Sequence, residues 1–472
     1  MSRKKLFIEN FLVYGLGGII SKIVPLIMLP VVTRLMPDTF YYGINDMANI
    51  IVSFGSAIAI MGLYDAMFRL FFEKEDENYK KEVCSTAFYS VIGTAIIVFI
   101  ILIVFKGILS YQFFNSNKYE NLLIISALTI VIGSTNTIIS APTRMLNKRK
   151  IFLILNTITP IISYSISVPL LLNKMYVMAL PLAALISSAS MLIIFYLLNK
   201  EWFNIKRFKK EHLKDLIKIG LPLMPNFLIY WILNSCDRLM INNIIGTSYV
   251  GIYGVGAKVA SMSQLIYTAF AGGWQYFAFS TMKDKDQVGM TSRIFEYLGV
   301  ISFITTIILT VFSELIFNIL FEGDYVMGAQ AFPYLFLSPL LLMLFQTAAN
   351  QFLVIKKTWP NFIILSFGAF LNIIINLVLI PTLGVEGAAI ATLIGYISSV
   401  LVCVIVLHKM KLIEISNKFK LSTLSILIFF IVWRIYVKDN IILSLLTGLV
   451  SIIIISLNYK DDINLIVKKL IK

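Results

Sequence analysis

Charge is scarce in this 472-residue chain: 14% of its residues are charged, against 58% that are hydrophobic. Together with a mean hydropathy of +0.87, that excludes a soluble protein, which could not hide so much apolar surface. Cysteine is rarer still. Cys84, Cys236 and Cys403 lie far apart with no metal-ligand spacing, so neither a disulfide framework nor a zinc site is indicated. The two histidines, His212 and His408, both fall in basic segments, which argues against a histidine metal site or a catalytic triad. Long polar stretches are missing too. The longest, 199–216 (NKEWFNIKRFKKEHLKDL), is too short to fold as a soluble domain. The longest external candidates, 106–120 and 321–329, leave little room for the catalytic loop of a membrane polymerase or ligase, so a non-enzyme is expected.

What the chain has in abundance is apolar runs, about 14 of them, most near the ~20 residues that span a bilayer as a helix. They include 9–33, 41–70, 217–244, 251–281, 359–381, 384–408, 421–437 and 439–458. The first run is too long for a signal-peptide core and lacks a small-residue cleavage site, so it reads as a retained helix. Tyr41, Tyr42, Trp202 and Trp359 fall near span ends, as interfacial aromatics do. The net charge of +15 is not spread evenly. With the N-terminus inside, the cytoplasmic segments hold Arg3 to Lys5, Lys74, Lys80, Lys81, Arg144 to Lys150, Lys200 to Lys218, Lys283, Lys285, Lys356, Lys357, Lys409 to Lys420 and the tail lysines. External loops keep only a few, such as Lys106, Lys118 and Lys174. That alternation is the positive-inside pattern, so the basic residues report topology and anionic inner-leaflet lipid rather than nucleic acid. Both termini are expected in the cytoplasm.

The connector at 199–216 divides the chain into a six-span lobe over 1–198 and a second over 217–408, with two further spans and a basic tail over 409–472. The lobes resemble each other. LMPDTFYYGINDM around Gly43 recurs as IIGTSYVGIYGVG around Gly251. Pro25 and Pro30 are echoed by Pro222 and Pro225, and Pro169 before LLNKMYVMALPLAAL by Pro381 before TLGVEGAAIATL. Three matches in one order point to a parallel duplication, as in transporters built from repeats around a central site. The prolines serve either as ordinary kinks or as hinges in helices lining the cleft.

Few ionisable residues lie at membrane depth: Lys22, Asp46, Asp237, Arg238 and Lys258, with Arg34, Asp65 and Arg69 near span ends. Arg238 is about eight residues from the outer end of its span, hence roughly 12 Å deep, and Lys258 lies at similar depth. An arginine there costs roughly 2.5–3.5 kcal/mol on insertion scales and persists where it is wet or paired. Asp237 and Arg238, being adjacent, point about 100° apart and need not pair with each other. They mark either a site or a structural interhelical ion pair. Asp46, Asn49, Ser53 and Ser56 form a polar stripe at helical spacing. Asp65 and Arg69 are spaced for an i, i+4 pair, interfacial or functional. Lys22, mid-span, is badly placed to snorkel, whereas Lys258 is nearer an interface. Asn372 and Asn376, four apart, would bond either substrate hydroxyls or a neighbouring helix. Lysine and arginine in a cavity favour an anionic, phosphorylated passenger.

The runs ISKIVPLIMLPVVTRLMPDTFYYGINDM and GLYDAMFRLF resemble the N-terminal half of polysaccharide repeat-unit (O-antigen or capsule) flippases. IGLPLMPNFLIYWILNSCDRLMINNIIGTSYVGIYGVGAKVAS resembles the start of their second half, and LNIIINLVLIPTLGVEGAAIATLIGY their span 11–12 signature. The superfamily of multidrug, oligosaccharidyl-lipid and polysaccharide exporters also holds lipid II flippases and multidrug–cation antiporters. The resemblance implies an all-α membrane protein of about 14 helices, two six-helix lobes around a central cavity plus two C-terminal helices. It also implies alternating access carrying undecaprenyl-diphosphate-linked oligosaccharide across a bacterial cytoplasmic membrane, with polysaccharide polymerase and chain-length machinery as partners. Lys22, Arg34, Asp65, Arg69, Asp237, Arg238 and Lys258 fall on the spans that line the cavity in that family. No cofactor is expected beyond a coupling proton or sodium ion. An antiporter or a lipid II flippase is the alternative.

Overall fold

A computed structural model describes residues 22–266, 270, 286–357 and 359–462. The start of the first expected span, the end of the span from 251 to 281, Lys283, Lys285 and the lysine tail lie outside them. Among the described residues every regular element is a helix. Eleven helices among these residues are long and apolar enough to cross a membrane. One of these, Trp359–Lys409, is two helices merged across a break at Gly384 (φ 59°, ψ −133°), between the two spans expected there. The count of fourteen spans is therefore not reached among these residues.

Helix ends follow local chemistry. Asp38 caps Thr39–Ile60 by accepting from the Phe40 amide at 2.7 Å, Asp76 accepts from Tyr79 at 3.0 Å, and Asn440 from Ile442 and Leu443 at 3.1 Å each. Thr39–Ile60 stops where Met61 and Gly62 both turn left-handed, and Leu63–Phe71 starts at once. Hydroxyls inside the spans return to their own helix: Ser302, Thr306 and Thr310 each donate to the carbonyl four residues back at 2.7 Å. That back-bonding satisfies groups that would be costly to bury in an apolar setting. Large apolar side chains such as Ile97, Ile100, Val104 and Ile108 face outward, as lipid-facing positions do.

The chain forms two compact units, Met1–Gly254 and Val255–Lys472. Their division falls within the Thr247–Ala260 helix rather than at the connector, because Met224–Ile244 packs on Thr39–Ile60. The connector itself is bound to the first unit. Ser85 donates to the Trp202 carbonyl at 3.0 Å and accepts from the Asn204 amide at 3.1 Å, while the Lys209 amide donates to Thr86 at 3.1 Å. Trp202 is 5% exposed and rests 5.5 Å from the Phe71 ring, and Tyr42 is buried as well. The expectation that these two are interfacial anchors is corrected: they are core residues, whereas Trp359 is 63% exposed.

In the second unit, Gln287–Val311, Phe332–Val354 and Trp359–Lys409 pack together, and Asn417–Val432 and Ile441–Asn458 lie against Gln287–Val311. Polar contacts fasten this last pair at both ends. Glu296 accepts from the Ser416 amide at 2.6 Å, the Ser416 hydroxyl at 2.8 Å and the Tyr459 hydroxyl at 3.1 Å. At the other end Glu386 holds Arg434 Nε at 2.7 Å and accepts from the Tyr334 hydroxyl at 3.0 Å. Arg434 is presented by a π-helical turn, Trp433–Val437. Glu386→Leu is expected to lower stability by ~2–3 kcal/mol, below the range for a fully buried pair because Arg434 stays 31% exposed. The double variant E386L/R434L should recover most of that loss in a detergent melting series. Equal losses in the single and double variants would show that Arg434 does not depend on Glu386.

Candidate functional site

The polar residues of greatest interest gather where Thr39–Ile60, Met224–Ile244 and the start of Thr247–Ala260 meet within the first unit. Arg238 Nε lies 2.7 Å from Asp46 Oδ2, with the two side chains 21% and 17% exposed. Neither atom completes a hydrogen bond of good angle, so the contact is ionic. Arg238 also donates through Nη1 to the Asn234 carbonyl at 2.7 Å, and its guanidinium stands 5.8 Å from the Tyr253 ring centre. Tyr253 turns its hydroxyl the other way and donates to Asp237 Oδ2 at 2.7 Å. Asp46 thus faces Arg238, while Tyr253 touches both members of the adjacent pair. Tyr253 bridges them.

Small residues make this convergence fit. A Cβ on Gly254 would come within 2.7 Å of Asp46 Oδ2, so the absent side chain is the space the carboxylate occupies. A Cβ on Gly43 would run into the Thr247 carbonyl, and one on Gly251 into the Thr39 carbonyl. The two helix starts matched by sequence therefore pack reciprocally, Thr39 and Gly43 of one against Gly251 and Thr247 of the other.

Contact between Thr39–Ile60 and the segment 220–244 continues along their length. The Trp231 indole donates to Ser53 at 3.1 Å and packs on Phe54 at 4.6 Å, and Gly220 backs directly on Gly62. From Gly220 to Arg238 is ~27 Å at helical rise, close to the thickness of a hydrocarbon core. The result is an antiparallel seam with an ion pair at one end, an aromatic and a hydroxyl midway, and paired glycines at the other.

Residues 31–327 match the family described as polysaccharide biosynthesis protein. The chain belongs to that family. An uncharacterized membrane protein of Methanocaldococcus jannaschii is 27% identical over 246 residues, 50% of this chain. The chain spans about half the length of that curated relative, 48%. Among solved structures, the lipid II flippase MurJ in an inward closed conformation aligns with a TM-score of 0.72 at 19% identity, covering 96% of this chain and 100% of that one. An inward-facing multidrug resistance MATE family transporter of the MOP superfamily aligns at 0.62 and 13% identity, covering 84% and 98%. At these identities the likeness establishes the fold, which is that of MurJ and the MATE transporters. The family member is a multi-pass membrane protein.

The other candidate residues of this polysaccharide biosynthesis family member differ widely in burial. Lys22 is half-buried, while Arg34 is exposed at the end of its helix and Lys258 is exposed on the Thr247–Ala260 helix. Asp65 and Arg69 are both exposed on Leu63–Phe71, and no ion pair joins them. The favourable i, i+4 spacing is worth too little to hold two solvated side chains together. Asn372 and Asn376 are fully buried, with Asn372 donating to Thr392 at 3.3 Å across the contact where Gly368 and Gly395 approach. Sequence reasoning passed over Tyr253, Glu296, Glu386, Tyr334 and Arg434. The signal for the charged ones was present, since Glu386 and Arg434 each interrupt an apolar run as Arg238 does.

Proposed function

We propose that this chain is a flippase that carries undecaprenyl-diphosphate-linked oligosaccharide repeat units from the inner to the outer leaflet of a bacterial cytoplasmic membrane. It would supply a surface polysaccharide such as O-antigen or capsule, and act as a transporter rather than an enzyme. The observation that carries this reading is the family match over residues 31–327 in a chain of apolar helices. A lipid-linked sugar must move its polar head across ~30 Å of hydrocarbon without exposing it to lipid tails. Helices that part and rejoin along a seam meet that requirement, and Asp46–Arg238 is the contact whose exchange would accompany such a movement. Cationic side chains on the spans that line the cavity in the family it resembles would receive the diphosphate.

One observation favours the multidrug–cation antiporter reading. Arg238 is matched by two carboxylates, Asp46 and Asp237, so this cluster is not a free positive charge awaiting an anion. Those acids are also where a coupling proton or sodium ion would act. Deleting the gene decides between the readings. Lipid-linked repeat units protected on the cytoplasmic face, with surface polysaccharide lost, are the expected result. Unchanged surface polysaccharide with reduced efflux of a cationic dye would give the antiporter reading instead.

A further inference from the structure

The second unit contains a cleft of about 590 Å³ that the proposed transport does not use. It lies between Asn417–Val432 and the helices Phe332–Val354 and Trp359–Lys409, and its walls are apolar: Leu337, Leu341, Leu393, Val400, Phe419 and Leu424 among them. Lys409, Lys420 and His408 stand at one end of it. Phe430 closes the other, stacked 5.5 Å from Tyr334, whose hydroxyl is held by Glu386 beside Arg434. The cleft persists because the Asn417–Val432 helix is fastened above and below it, through Ser416 to Glu296 and through Arg434 to Glu386.

Two features define what fits. From Lys420 to Phe430 is ten residues, ~15 Å of helix and therefore about one leaflet of a ~30 Å hydrocarbon core. A chain lying there would enter at the basic end and stop at the bilayer's middle. The basic end is on the side that the charge alternation assigns to the cytoplasm, where anionic lipids concentrate. Among neighbouring charges, Lys418 is already engaged by Asp462 at 3.5 Å, and Glu414 is the acid in the connecting segment. Lys420 reaches Asn417 at 3.3 Å, and His408 bonds the Ile413 carbonyl at 3.2 Å. Lys409 and Lys420 are left as the cations on the mouth.

We propose that this cleft binds an anionic phospholipid of the inner leaflet, with an acyl chain along Asn417–Val432 and the phosphate at Lys409 and Lys420. The site is separate from the transported substrate and holds whichever transport reading is right. The test uses the full chain in nanodiscs of equal phosphatidylglycerol and phosphatidylcholine, with lipids retained on the intact protein read by mass spectrometry. Phosphatidylglycerol should be retained preferentially, and K409Q/K420Q should lose roughly thirtyfold of that preference, as expected for two lysine–anionic lipid contacts. Leu424→Trp, which fills the cleft and keeps both lysines, should lower retention of both lipids. K148Q/K150Q, on the other unit, should change neither. Absence of any preference in the wild type overturns the proposal, as does preference surviving in K409Q/K420Q or retention unaffected by Leu424→Trp. Should the double variant fail to accumulate, the wild-type preference and Leu424→Trp still decide. Inorganic phosphate that raises the melting temperature as much as phosphatidylglycerol, at matched ionic strength, would reduce the site to a phosphate contact and overturn its lipid identity.

Discussion

Arg238→Leu is expected to be among the most damaging truncations in the first unit, lowering stability by ~2–4 kcal/mol and stopping export. The substitution strands Asp46 against the close-packed Gly254 with its counter-charge gone. About a fifth of each side chain remains exposed, which keeps the expected loss below that of a fully enclosed pair. Asp46→Leu should cost a similar amount by stranding the guanidinium, although Arg238 keeps the Asn234 carbonyl and the Tyr253 ring. Asp237→Asn should cost only about 1 kcal/mol, because an amide oxygen still accepts from Tyr253. The exchange D46R/R238D separates the two roles of the pair. If the contact serves mainly to join helices, the exchange restores both melting temperature and export. If Arg238 also meets the passenger, stability returns and export does not. Wild-type stability and export in Arg238→Leu would remove the residue from both roles.

Membrane class and helical content follow directly from composition, and a few helix ends from capping residues, since these depend on local chemistry. Asp38, Asp76 and Asn440 cap the helices they precede. The partners of charged residues do not follow, because they are set by which helices meet. Arg238 stands out in sequence as a charge in an apolar run, yet nothing in that run indicates Asp46, 192 positions earlier. Asn372 and Asn376 show the limit from the other side. Polar residues four apart mark one helix face whether it meets a ligand or a helix. The glycines at 368 and 395, which let the backbones approach, put Asn372 at a helix contact. Trp202 was misplaced for a related reason: a tryptophan near a span end anchors at the interface only where no neighbouring helix covers it, and Phe71 covers this one. The Gly43 and Gly251 repeat was visible as a similarity. That its two copies touch each other was not, since similarity carries no information on contact.

That contact carries the other large effect. Gly43→Val and Gly251→Val are each expected to lower stability by ~3 kcal/mol or more, at the upper end of overpacking losses. The opposing atoms decide the magnitude. Each new side chain meets a backbone carbonyl in a helix's first turn, at Thr247 or Thr39, and a backbone cannot rotate aside as a leucine tip can. Gly93 and Gly133 supply the contrast: a Cβ on either meets nothing within 4 Å. Alanine there should be neutral or add up to about 1 kcal/mol through helix propensity alone. Because the Gly43 and Gly251 contacts are reciprocal, the two single variants should lose nearly equal amounts. The double variant should lose well short of their sum, since helices pushed apart by the first side chain leave room for the second. Thermal melts of the four proteins in one detergent test this directly. Strict additivity would mean that the two glycines act independently, and the two helix starts would then be alike in sequence without forming a shared contact.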